Sequence, residues 1–217
     1  MTYLWINPVS ERMISESTLK RILKEHNLQQ VRCREDWCSV VLEKYRDLMK
    51  QTTGLVADAR CPAAVNLVRQ KQKEGSIEIQ IAEIEPILLH CARELSERQD
   101  LSDGEKIITT PCRILAEHGK RLELSKTRFL SWKDFLTGLG ETLEPAPKAS
   151  PIPPGFFKDL TVPVVSLSGR NQIESYLTHQ ERSEHPSEEK PEKSSRTSLL
   201  LELLFCSQGC HMGDGVR

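Results

Sequence analysis

The chain has 217 residues, 38% of them hydrophobic and 28% charged, which suits one or two globular domains. Its formal net charge is −1, so neither nucleic acid nor an anionic membrane surface is an expected partner. The opening MTYLWINPVSERMI lacks a basic stretch leading into a long apolar core, and no apolar run approaches about 20 residues; a cytoplasmic protein with no membrane span is expected.

In chain order, TYLWI reads as a first strand. A helix follows, capped by Ser15 or Ser17, with Leu19, Ile22 and Leu23 on one face. QVRC reads as a short strand. A helix from about Asp36 to Lys50 buries Trp37, Val40, Val41, Tyr45, Leu48 and Met49 at helical spacing. GLVAD is a buried strand that breaks at RCP into a helix carrying Val65, Leu67 and Val68. Pro62 fits the first turn of that helix, where a missing N–H costs little. SIEIQIAEI alternates Ile77, Ile79 and Ile81 in strand fashion, and Pro86 opens the helix PILLHCAREL. EKIITT is a strand ending at PC, followed by the helical RILAEHGKRLEL, and SWKDFLTGL is a further helix. Residues 143–155, LEPAPKASPIPPG, form a Pro-rich linker expected to be extended. PVVSLSG and RNQIESYL give strand, glycine turn and helix. Residues 179–198 contain no large apolar side chain and read as a disordered, charged insertion before the last strand, LLLELLF. Strands alternating with helices predict an α/β fold of mostly parallel sheets flanked by helices, with ligands collected at strand carboxyl ends.

The seven cysteines are Cys33, Cys38, Cys61, Cys91, Cys112, Cys206 and Cys210. In a reducing compartment an odd set argues against a disulfide framework and for metal or redox use of clustered thiols. Cys61 follows the strand LVAD, Cys112 follows KIITT and Cys206 ends LLLELLF, so three strand ends are expected to bring thiols to one edge. Cys210 adds a fourth. Taken alone, Cys61 or Cys112 reads as a small buried hydrophobe, whereas the glycine context of the Cys206 and Cys210 pair points to metal or redox use. Together, four thiolates match a 4Fe-4S cluster or a structural zinc ion. RCP and PC set a thiol where a helix N-terminus stabilises negative sulfur. Gly209 permits the tight turn in CSQGC, and Gly213 and Gly215 are expected to let the backbone approach a bulky inorganic ligand. Cys33 and Cys38 fit no common cluster spacing; Cys38 is expected on the buried helix face beside Trp37 and Val41, and Cys91 in a core. His211 either hydrogen-bonds a cluster sulfide or faces solvent. Arg60 either favours a neighbouring thiolate or is a surface arginine, and Asp58 carries no assigned chemistry.

RCP, TPC and ELLFCSQGC with GDG resemble the three cluster-binding motifs of iron-only (di-iron) hydrogenases, in the C-terminal domain of the large subunit. The family pattern is roughly T-S-C-C-P, then M-P-C-x-x-K-x-x-E, then E-x-M-A-C-x-x-G-C-x-x-G-G-G. VVSLSGRNQIESYL and GFF resemble segments upstream of the last motif. The resemblance covers 54–217, an iron hydrogenase-like domain interrupted by the linker 143–155 and the insertion 179–198. Residues 1–53 form an N-terminal α/β segment outside it. The resemblance implies that Cys61, Cys112, Cys206 and Cys210 ligate a 4Fe-4S cubane, the last bridging, in the family, to a di-iron subcluster.

Several family positions differ. Arg60 replaces the proton-relaying cysteine, Leu115 the lysine that contacts a cyanide ligand, and His118 the glutamate beyond it. Phe205 stands for alanine, and Asp214 interrupts the glycine run. No ferredoxin-like cysteine repeats are present. The expected function is therefore that of a hydrogenase-like protein binding one 4Fe-4S cluster for electron transfer or redox sensing with a redox partner protein, without efficient hydrogen turnover. The alternatives are a catalytic hydrogenase subunit with a di-iron cluster, or a structural domain whose thiols bind zinc or no metal.

Overall fold

The structure is a computed structural model, and it describes residues 1–75, 77–145, 147–152, 154–183 and 198–217, with the backbone alone for 180–183. Two compact units are each assembled from separated pieces of chain. Unit 1 comprises Met1–Trp37, Ile87–Pro153 and Gln208–Arg217; unit 2 comprises Cys38–Pro86 and Pro154–Ser207.

Unit 1 carries a four-stranded sheet of order β2-β1-β5-β6, in which every neighbouring pair is parallel. Its strands are β1 (Thr2–Trp5), β2 (Leu28–Gln30), β5 (Glu105–Thr110) and β6 (Thr127–Ser131). Its helices are α1 (Pro8–Glu11), α2 (Glu16–Glu25), α5 (Ile87–Glu97), α6 (Arg113–Lys120) and α7 (Trp132–Gly138). Side chains alternate across the sheet, so each strand feeds two cores. Tyr3, Trp5, Ile108 and Phe129 pack with Leu88, Leu89 and Leu95 of α5 on one side. Leu4, Ile6 and Ile107 pack with Ile22 of α2 and Trp132 and Phe135 of α7 on the other. Ser15 caps α2 by accepting the Thr18 N–H at 3.2 Å. The strand expected at QVRC is instead Leu28–Gln30, and the unexpected β6 fills the sheet edge beyond β5.

Unit 2 repeats the plan with β4-β3-β8-β7, again parallel throughout. Its strands are β3 (Leu55–Ala57), β4 (Gln80–Ile81), β7 (Val164–Ser168) and β8 (Leu199–Leu204). Helices α4 (Pro62–Lys73) and α8 (Arg170–Ser183) cover one face, where Leu67, Val68, Ile173 and Leu177 meet Ala57, Leu201 and Leu203. Helix α3 (Trp37–Gln51) has Val41, Tyr45 and Met49 buried. The expected α/β fold of parallel sheets flanked by helices is present in both units. The linker 143–155 has no helix or strand among its described residues; of the charged stretch, α8 takes the start, and 184–197 lie outside the described residues. Among the described residues, no helix is long and apolar enough to cross a membrane.

Candidate functional site

In unit 2 the chain leaves β3 for β4 on one side, whereas β8 lies on the other. β3 and β8 are the two central strands of this sheet, and parallel α/β sheets bind ligands at their strand carboxyl ends. Cys61 follows β3 and Cys206 follows β8. Cys61 is the N-cap of α4 in an extended conformation (φ −108°, ψ 101°), with Pro62 opening the helix. Burial pushes its thiol pKa up, while N–H groups of Phe205, Ala64 and Ala63 aimed at the sulfur oppose that shift. One of these donors belongs to the residue just before Cys206, so the two strand ends converge. The Cys206 carbonyl accepts the Ser168 hydroxyl at 3.1 Å.

Beneath these thiols lies a buried ionic lattice. Asp58 and Glu202 are 0% and 2% exposed. Arg60 donates through Nη2 to Asp58 at 2.9 Å and to Glu202 at 3.0 Å, and through Nε to both Asp58 oxygens at 3.1 Å. Tyr45 donates to Asp58 at 2.8 Å and accepts the Ala59 N–H at 2.9 Å. Glu202 also accepts the N–H groups of Gly155 and Phe156, both at 2.9 Å, and the Ser166 hydroxyl at 2.6 Å. With Arg60 that makes four donors, the full capacity of a carboxylate. The guanidinium lies over the rings of Phe156 and Phe157, 4.1 and 4.3 Å from their centroids. Burial, followed by the charge of Asp58, drives the Tyr45 pKa far above its ordinary value, so it remains a neutral donor.

Arg60 is thus neither a surface arginine nor a thiolate's counterion; it neutralises carboxylates inside the unit. The lattice was missed in the sequence, although one signal was there. Glu202 is a single charge in the otherwise apolar LLLELLF, and such a charge is buried only with a partner.

In unit 1 the connections diverge between β1 and β5, since β1 leads to β2 on one side and β5 to β6 on the other. Cys112 follows β5 as the extended N-cap of α6 (φ −147°, ψ 151°), and its carbonyl accepts the Thr110 hydroxyl at 2.6 Å. The C-terminal loop folds onto this strand end. Gly215 donates its N–H to the Pro111 carbonyl at 3.2 Å and accepts the Lys133 N–H at 2.7 Å. Asp214 accepts the Arg113 N–H at 3.0 Å, capping the first turn of α6. A Cβ on Gly213 would stand 2.3 Å from the Pro111 oxygen, and one on Gly215 2.9 Å from Cys112 Cα. These glycines therefore let the loop approach the Pro111–Cys112 backbone, a different role from the expected approach to an inorganic ligand. Gly209 does make the expected turn, with φ +116°, and it leads into a single 3-10 turn, Cys210–Met212.

The strand-end thiols accordingly divide between two sheets, Cys61 and Cys206 on one and Cys112 on the other, where a single edge was expected. All four are partly buried, and none is in a disulfide. Cys91 is in a core as expected, while Cys38 is exposed rather than on the buried face of α3. Positions 38, 41, 45 and 49 share one face of α3, but the buried stripe begins only at Val41, and Cys38, the second residue of the helix, lies before it. His211 is fully buried, against the solvent-facing alternative.

Each of Cys61 and Cys112 stands at a strand carboxyl end with a helix N-terminus behind it, and backbone donors face the sulfur of Cys61, a setting that favours a thiolate. Among the described residues, Glu25, His26 and Glu141 also bring ligand atoms within 4.8 Å of one another. That group is explained by Arg21, which holds Glu141 through two bonds of 2.7 and 2.8 Å. Compared with protein families, curated proteins and solved structures, the chain matches none.

Proposed function

We propose that the protein is a hydrogenase-like iron–sulfur protein in which Cys61, Cys112, Cys206 and Cys210 ligate one 4Fe-4S cluster, used for electron transfer or redox sensing with a redox partner protein. One observation carries the reading. In each unit, a thiol occupies an extended helix N-cap at the carboxyl end of a central strand. Thiolates at such positions gain from the helix N-terminus and its unpaired N–H groups.

When bound, the cluster supplies one-electron redox chemistry, with a potential set by hydrogen bonds to sulfur and by solvent exposure. The chain's own residues do the rest. The N–H groups of Ala63, Ala64 and Phe205 stabilise negative sulfur at Cys61. The lattice of Asp58, Arg60 and Glu202 fixes the strand ends that present Cys61 and Cys206. Arg60 stands where the resembled hydrogenases carry a proton-relaying thiol. A guanidinium keeps its protons throughout the physiological range and has no acceptor atom. Its pairing with two carboxylates supports a role without hydrogen turnover.

The test is iron and acid-labile sulfide per chain in protein purified without oxygen. About four of each are expected for one cubane. A well-folded sample without iron, or one holding zinc alone, would overturn the reading. Infrared bands of carbon monoxide and cyanide ligands would instead establish a di-iron hydrogenase.

A further inference from the structure

Residues 154–160, PGFFKDL, form a strap against the lattice of unit 2 with neither helix nor strand, and only Phe157 among them is buried. Among the described residues, the hydrogen bonds that tie the strap to the sheet all end on one group. The N–H groups of Gly155 and Phe156 donate to the two oxygens of the Glu202 carboxylate, both at 2.9 Å. Gly155 has φ +114°, a conformation that favours glycine, where the two N–H groups turn to the same carboxylate. The remaining backbone bonds of the strap are internal: Lys158 N–H to the Gly155 carbonyl at 3.3 Å and Leu160 N–H to the Phe157 carbonyl at 3.0 Å.

The ring contacts are equally narrow. Phe157 meets Tyr45 of α3 at 4.6 Å between centroids, and Phe156 and Phe157 cover the Arg60 guanidinium at 4.1 and 4.3 Å. Arg60 is itself bonded to Glu202 at 3.0 Å, so the aromatic and the backbone contacts share one carboxylate. The remaining bond of that carboxylate, from the Ser166 hydroxyl at 2.6 Å, holds it to β7 and not to the strap. Segments with few buried apolar contacts open locally at lower free energy than the core beneath them. An ionic fastening makes such opening conditional: well-packed apolar residues would often hold at least as firmly, whereas this fastening fails when one carboxylate is neutralised.

We propose that residues 154–160 are a lid over the lattice, latched by Glu202, which opens as a unit while the sheet stays folded and uncovers the Arg60 guanidinium. Lid and latch lie within unit 2, and their action requires no cluster. Opening breaks the two N–H bonds to Glu202 and lifts both rings from the guanidinium. Asp58 keeps its hold on Arg60 through bonds of 2.9 and 3.1 Å, so the cation stays in place and becomes accessible to water.

The experiment is amide hydrogen exchange of the full chain, read by NMR across low, non-denaturing urea concentrations. In the wild type, Gly155 and Phe156 are expected to be protected, but at least about tenfold less than the amides of the central strand β8. Their opening should depend little on urea, because a lid exposes little surface. Protection and urea dependence equal to those of β8 would overturn the proposal, since the strap would then open only when the sheet unfolds. Absence of any protection at the two amides would overturn the latch. Glu202→Gln leaves one acceptor oxygen where the carboxylate has two, and removes the charge. It is expected to lower protection at Gly155 and Phe156 at least about tenfold more than in β8. A fall by the same factor in both places would make Glu202 a general support of the unit and overturn its role as latch. Should that variant fail to fold, the wild-type comparison decides.

Discussion

The two units solve one problem by opposite physical means. Each has a four-stranded parallel sheet, and each presents a cysteine as a helix N-cap after a central strand. Unit 2 braces its strand ends with buried charge: Asp58, Arg60 and Glu202, saturated by Tyr45, Ser166 and the Gly155–Phe156 backbone. Among the described residues of unit 1, no buried charge pair braces the Cys112 strand end; its loop is locked by backbone bonds and by glycines too tightly packed for any side chain. A strand end can be held rigid by directional polar satisfaction or by close steric approach, and the two should fail differently.

The largest expected effect tests whether the two braces serve the same purpose. Cys61→Ser and Cys206→Ser in unit 2, and Cys112→Ser and Cys210→Ser in unit 1, should each remove most of the bound iron, since each takes away one of four ligands. Cys91→Ala and Cys38→Ser should leave iron content unaltered, because one thiol lies in a core and the other is exposed. Iron analysis across the six variants checks this. Retention by the unit 1 variants alone would confine the metal to unit 2.

Next in size is Arg60→Met. It leaves Asp58 and Glu202 buried without their counterion, and breaking a buried pair from one side costs about 3–5 kcal/mol. Urea unfolding should show that loss. Adding Glu202→Leu should cost less than the sum of the two single changes, because both act on one network. A strictly additive result would mean that the carboxylate and the guanidinium do not depend on each other. In unit 1 the counterpart is Gly215→Ala, whose new Cβ would stand 2.8 Å from Ser131 Cβ and 2.9 Å from Cys112 Cα. Overpacking of this kind costs about 1–3 kcal/mol. The same variant should loosen Cys112 and slow iron loading more than its stability loss accounts for.

The contrast between units also explains what the sequence disclosed. Strands β5, β7 and β8 were legible because their apolar runs end at Pro or Gly or at a thiol-bearing turn, and α4 because Pro62 marks its first residue. Strand β6 was not. Its Phe129 and Leu130 are adjacent, follow RLEL closely and run straight into the Ser131 cap of α7, so no alternation of useful length exists. The alternation of Ile77, Ile79 and Ile81 promised a longer strand than β4. Its neighbour in the sheet, β3, is three residues long, and the ladder closes after two pairs. For the candidate site, the cysteines and their strand-end setting were legible, since a local break in pattern marks each. Their distribution over two sheets was not, because nothing local to Cys61 or Cys112 says which strands pair. The lattice joins residues up to 142 apart in sequence, and its only local trace is the lone charge in β8.

The smallest expected effect separates surface ion pairs from buried ones. In unit 1, Arg98 grips Asp100 through bonds of 2.6 and 3.1 Å, and Arg34 adds a contact of 3.1 Å. The Arg98 hydrogen bonds hold the Asp100 carboxyl down at about 2, against an ordinary 3.8. A carboxyl depressed in the folded state stabilises fully above its unfolded value and loses that contribution as pH falls through the folded one. The stability difference between wild type and Asp100→Asn should therefore be small but positive near neutral pH and vanish as pH falls from about 4 toward 2. Because Asp100 is solvent-exposed, about 1 M salt should erase the same difference at neutral pH. The Arg60→Met deficit, arising among side chains almost wholly buried, should survive that salt. If salt abolished both deficits, the ions of unit 2 would be reachable by solvent, and the distinction drawn between the two braces would fail with them.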